Sequence, residues 1–266
     1  MFGSRSLRAF YAFTVCWAFN PTSGLWILYL LHCHWSLFQV GLAESGFHLV
    51  SFLAEVPTGL FADRWGRRKS LAAGLSIQAL TTATTFWLAP HSIALGTVSV
   101  ACGALAWSFI GGADRALLFG IVSQDAQAST FGRVYGTVLA VHLTVGALAT
   151  ALGGWLVIQY GWSIPYEIAV ASAVSGLTTI GLLPQPRAPK VSLSPVPFGH
   201  NVHQTFRIAQ ATPGLGVWIG FGALLATLIT INNLYAQSTL VLKGASLPIA
   251  SLLVATASVV SAIGGW

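Results

Sequence analysis

Glu44, His48, Ser51 and Glu55 stand four, seven and eleven residues apart. At 3.6 residues per turn these separations bring side chains back to within about 40° of one another on a helix. Two carboxylates, an imidazole and a hydroxyl on one face can exchange protons or hydrogen-bond a polar solute. Glu44 alternatively lies at an interface, and Glu55 alternatively serves the basic turn that follows it. Asn20-Pro21 interrupts another apolar run, where proline frees a backbone carbonyl and opens the helix. His142 stands alone in a third run, either as a core histidine bonded to a neighbour or as a proton relay. Asn232 and Asn233 are adjacent amides, which cannot both be hidden against one helix face. Asn20, His48, Glu55, His142, Asn232 and Asn233 are therefore the candidate cavity residues, with a kink at Asn20 as the structural alternative.

These groups need elements that hold them at membrane depth. The 266 residues include 12 Lys+Arg and 6 Asp+Glu, 7% charged against 55% hydrophobic, with mean hydropathy +0.75. A soluble enzyme is excluded, because too few polar side chains remain to cover its surface. The net charge of +6 is scattered as singles between apolar stretches, which argues for topology and against nucleic acid. Cys16, Cys33 and Cys102 fit neither a disulfide framework nor a metal spacing, so no metal site is expected. Spans of roughly 17 to 25 apolar residues are expected near 9–31, 36–61, 70–89, 93–121, 135–158, 164–183, 213–237 and 246–266. With the N-terminus inside, ten of the 12 basic residues fall on the inner side, Lys243 falls outside and Arg115 lies at the inner end of the fourth span. That bias predicts an N-in orientation. Five prolines from Pro184 to Pro197 and several basic residues mark 185–212 as a cytoplasmic linker. It separates a six-helix bundle, 1–184, from the first two helices of an incomplete bundle, 213–266.

Between the second and third spans stands Gly59-Leu60-Phe61-Ala62-Asp63-Arg64-Trp65-Gly66-Arg67-Arg68-Lys69. A plain positive-inside loop explains the basic cluster but not the interleaving of Gly59 and Gly66 with Asp63. This pattern resembles the inner-loop signature of the major facilitator superfamily (MFS), with Gly59, Asp63, Arg64, Gly66, Arg67 and Arg68 in place. Gly111-Gly112-Ala113-Asp114-Arg115 resembles a small-residue, acid-bearing motif of that family's fourth helix, and Gly153-Gly154 resembles its close-packing glycines in the fifth. The final Gly264-Gly265-Trp266 resembles the opening of the second signature copy.

The resemblance implies an all-α membrane protein, an MFS-type polytopic helical bundle truncated relative to the usual twelve helices. It implies secondary transport of a small solute by alternating access, with a latch formed by Gly59, Asp63, Arg64, Gly66, Arg67, Arg68, Asp114 and Arg115. Asp63 would be the latch's central acid and the basic residues its partners. No catalytic set and no cofactor is expected, with a proton as the candidate coupling ion. The expected partners are a small-molecule solute and the lipid bilayer, with no nucleic acid and a monomer at full length. The expected location is the plasma membrane. The alternative is a non-transporting membrane receptor or structural fragment on the same scaffold.

Overall fold

The computed structural model describes residues 5–124, 130–183 and 214–264, and within these the side chains at 124, 226, 229–234 and 258–264 are outside the description. Every regular element among the described residues is a helix. In order they are α1 (Arg5–Ala18), α2 (Trp26–His32), α3 (Leu37–Trp65), α4 (Arg67–Leu88), α5 (Ile93–Ile110), α6 (Ala113–Gln124), α7 (Phe131–Tyr160), α8 (Ser163–Leu182), α9 (Leu215–Leu242) and α10 (Leu247–Gly264). Three runs are long and apolar enough to cross a membrane by length and composition: Leu37–Trp65, Ile93–Ser123 and Phe131–Tyr160. They make this an integral membrane protein. Eight spans are expected from the sequence. The first is divided between α1 and α2, and α4 begins with three basic residues. In α9 and α10 the shorter stretches Leu215–Leu225 and Leu247–Ala257 are the apolar segments among the described residues.

Local sequence explains most boundaries. α3 opens with a capping box: Ser36 Oγ accepts from the Gln39 N–H at 3.3 Å, and Gln39 Oε1 accepts from the Ser36 N–H at 2.8 Å. It closes at Gly66, whose φ of 97° and ψ of 144° lie in a region other residues adopt only under strain. The stretch read as a loop is thus a single residue between two helices. Asp63 and Arg64 occupy the last turn of α3, and Arg67, Arg68 and Lys69 the first turn of α4. The fourth span, expected as one helix over 93–121, breaks at Gly111 and Gly112, where Gly112 has φ 83°.

The chain divides into two compact units, residues 1–186 with 237–266, and residues 187–236. In the larger, Leu7, Phe10, Phe13, Leu71, Leu75, Ile110, Leu117 and Leu183 form a buried core joining α1, α4, α5, α6 and the end of α8. α3 packs on α5, α5 on α4, and α10 on α7. Close approach comes from small residues, as expected where lipid supplies no hydrophobic driving force between helices: a methyl group at Gly74 would meet Ile110, and one at Gly176 would meet Leu75. Buried hydroxyls join the same surfaces, Ser99 Oγ lying 2.6 Å from Thr84 Oγ1 and 2.9 Å from Thr85 Oγ1. In the smaller unit, the described part of α9 through Trp218 and Phe221 presents exposed apolar side chains.

Candidate functional site

The α3–α4 turn and the α5–α6 break enclose a pocket of about 130 Å³, lined by Thr58, Gly59, Asp63, Arg67, Ser70, Ser108 and Gly112 among others. Thr58 ties α3 to α5, its hydroxyl lying 2.8 Å from the Ala54 carbonyl oxygen and 3.1 Å from that of Ser108. Ser70 Oγ donates to the Phe109 carbonyl at 2.6 Å, which fixes the start of α4 against the end of α5. Arg67 reaches across the pocket and donates to the Ala116 carbonyl at 2.5 Å. Arg68 donates to the Gly181 carbonyl of α8 at 3.0 Å.

Arg68 therefore caps a carbonyl in the last turn of α8, where a cation interacts favourably with the helix dipole, whereas Arg67 bonds a carbonyl in the first turn of α6 and ties α4 to it. Asp63 is exposed at the pocket and has neither a hydrogen bond nor an ion pair among the described residues. Arg64 lies over Trp65 at 5.2 Å and Arg115 over Tyr135 at 5.6 Å, both in cation–π geometry. Asp114 Oδ1 accepts from the Arg115 N–H at 2.6 Å. Gly59 faces open space. Of the latch candidates, Gly59, Asp63 and Arg67 line this pocket, whereas Arg64, Gly66, Arg68, Asp114 and Arg115 are outside its lining, and no acid and base of the set lie within ion-pair distance among the described residues.

The cavity candidates are dispersed. Asn20 Oδ1 accepts from the Thr22 N–H at 3.0 Å and from the Thr22 hydroxyl at 2.7 Å, so its carbonyl oxygen holds the non-helical stretch between α1 and α2. His48 Nε2 lies 3.0 Å from Glu44 Oε1. Glu55 is exposed, and His142 is half-buried with no hydrogen bond among the described residues. Asn232 and Asn233 lie on α9, with side chains outside the described residues.

A second polar cluster has no local signature in the sequence. Ser23 Oγ meets Thr150 Oγ1 at 3.1 Å, and Gln237, 1% exposed, donates through Nε2 to Ser251 Oγ at 2.5 Å. Its Oε1 is buried without a partner, against Gly24. Gly153 lies on the Pro21 carbonyl oxygen and Gly154 on the Ser251 hydroxyl, so neither has room for a side chain. Gly153-Gly154 and Asn20-Pro21 are the only signals the sequence offers for this junction. Gln237 and Ser251 become visible only once α7, α9 and α10 are assembled.

Comparison with known proteins matches the chain to a family. The family described as Major Facilitator Superfamily matches residues 7–266. The MFS-type transporter YxaM of Bacillus subtilis (strain 168) is 28% identical over 149 residues, covering 54% of this chain and 36% of that protein. The MFS-type transporter YcaD of Escherichia coli (strain K12 / DH10B) is 27% identical over 157 residues, covering 59% and 38%. The matches thus span well under half the length of these curated relatives. Among solved structures, the POT family transporter PepTSo aligns with TM-score 0.57 at 16% identity, covering 98% of this chain and 52% of that one. A D-xylose-proton symporter aligns with TM-score 0.55 at 13% identity, covering 97% and 65%. At such identities the structural likeness speaks for the fold alone. On the family match, the chain belongs to the Major Facilitator Superfamily, a family of transport proteins and not of enzymes.

Proposed function

We propose that this chain forms the first bundle, the linker and the start of the second bundle of a secondary transporter. It moves a small solute by alternating access, with a proton gradient as the driving force. The observation that carries this reading is the family match, which extends over residues 7–266 and so crosses the proline-rich stretch into the helices beyond it. A proton is the coupling ion in this reading because carboxylates and an imidazole stand within the apolar runs. The N-terminus faces the cytoplasm of a plasma membrane, as the distribution of Lys and Arg favours. On this reading the α3–α4 pocket is the inner latch surface, Asp63 is free to meet a partner from the second bundle, and Arg67 and Arg68 hold the first bundle rigid beneath it.

The test is accumulation of a panel of labelled solutes in sealed vesicles, with and without an imposed proton gradient, for this chain and for the full gene product. Gradient-dependent accumulation of one solute class by the full product is the expected result. Absence of accumulation for every solute by an inserted, folded full product contradicts the proposal.

A further inference from the structure

Glu44 and His48 form the one ion pair within 4.0 Å among the described residues. Glu44 begins the third turn of α3, about 10 Å along the axis from Leu37 at 1.5 Å per residue, inside a run long and apolar enough to span a bilayer. A carboxylate there is costly unless it is neutralised. Its exposure is 14%, whereas that of His48 is 56%.

Few other groups can set the charge at this place. α5, the main partner of α3, brings Cys102 as its one titratable residue. The neighbours Gly46 against Ala101 and Phe47 against Gly103 fix the register there. α4 brings Arg67, Arg68 and Lys69, all in its first turn at the far end of α3. α2 brings Tyr29 and His32. On α3 itself, Glu55 lies about 16 Å further along the axis, with Asp63 and Arg64 beyond it. No permanent cation is therefore placed beside Glu44 by these helices, and the imidazole is its partner.

We infer that Glu44 and His48 together form a proton-binding site on α3, with His48 as the exposed entry and Glu44 as the shielded acceptor. This rests on the coupled-transport reading above and names the groups that would load the proton. The 3.0 Å contact serves two arrangements of one shared proton without moving a heavy atom: imidazole N–H donating to carboxylate, or carboxylic O–H donating to neutral imidazole nitrogen. In both, the pair is neutral overall. One further proton leaves it at +1 and loss of the shared proton leaves it at −1, so proton binding changes the charge held in the helix bundle. A bundle whose charge changes with protonation has different costs for facing water and facing lipid, which is what a coupling site requires.

The experiment is an infrared pH titration of the chain in lipid nanodiscs, following the carboxylic-acid carbonyl stretch. The expected result is a pH-dependent band that disappears in Glu44→Gln and moves in frequency in Glu44→Asp. Its midpoint shifts in His48→Gln. Circular dichroism and gel filtration select the variants that keep the wild-type fold, and Glu44→Asp with His48→Gln carry the test where Glu44→Gln does not fold. A band unchanged in Glu44→Gln or Glu44→Asp, or a midpoint indifferent to His48→Gln, overturns the inference. No solute is required, so failure here leaves the transport reading standing. Conversely, an intact titration in a full product that shows solute exchange independent of the proton gradient removes coupling and leaves only a titratable pair.

Discussion

Replacing Gly153 by alanine puts a methyl group where the Pro21 carbonyl oxygen and the Leu25 side chain already sit. The methyl would lie 3.0 Å from Leu25 Cδ1 and closer still to the carbonyl oxygen. A leucine end can rotate, but the carbonyl belongs to the stretch between α1 and α2 that Asn20 pins through two bonds to Thr22. The backbone must therefore shift, at a cost of about 1–3 kcal/mol for an overpacked site. Alanine recovers about 0.5–1 kcal/mol in helix propensity, leaving a net loss of up to about 2.5 kcal/mol. Gly136 lies on the same helix with nothing within 4 Å, so Gly136→Ala should stabilise by about 0.5–1 kcal/mol. The two substitutions share chemistry, helix and propensity gain and differ by the clash alone, which separates their unfolding constants by about 5- to 150-fold. Denaturant titration in mixed micelles, followed by circular dichroism, reads both. Equal effects, or a stabilising Gly153→Ala, would refute the packing of α7 on the broken first span.

Four other outcomes follow from named contacts. Gly66→Ala forces a side chain into φ 97° and should cost about 1–3 kcal/mol, measured in the same titration; no loss would mean the turn has another conformation. A double-mutant cycle of Gln237→Ala with Ser251→Ala should give a coupling of about 0.6 kcal/mol, and at most roughly 1.7, as for polar contacts between membrane helices. Additive effects would remove that contact. Burial pushes the Cys33 thiol up, with the Tyr29 contact only partly opposing it. A thiol raised this way is less ionised at neutral pH, so iodoacetamide should modify Cys33 more slowly than a free cysteine and accelerate as pH rises through the thiol range; mass spectrometry reads the rate, and peptide-like reactivity would contradict the burial. In a cysteine-free background, Lys243→Cys should react with an impermeant maleimide added outside cells and Lys69→Cys should not; the reverse pattern inverts the orientation.

The sequence and the structure agree where local chemistry decides and part where distant segments meet. Apolar length is enough to locate α3 and α7, expected at 36–61 and 135–158 and found at Leu37–Trp65 and Phe131–Tyr160. Asn20-Pro21 marks the break between α1 and α2 because proline cannot continue the hydrogen-bond ladder. Gly111-Gly112 reads in the sequence as part of one span over 93–121. A positive φ at Gly112 decides for a stop, which periodicity cannot reveal. The Glu44–His48 contact follows from i, i+4 spacing. The bonds from Arg67 to α6 and from Arg68 to α8 do not, since their partners lie 49 and 113 residues away. Gln237 and Ser251 carry no periodic signal at all, and their meeting depends on the absence of side chains at Gly24 and Gly154.

The central claim is that the full protein carries a solute by exposing one site to each side in turn. Counterflow tests it most directly: vesicles containing the full product are preloaded with unlabelled solute, diluted into a trace of labelled solute, and sampled without any gradient or nucleotide. A carrier produces a transient overshoot of label inside the vesicles, and the proposed latch role of Asp63 predicts a weaker overshoot in Asp63→Asn. Label that only equilibrates, or never enters vesicles bearing folded protein, contradicts the claim.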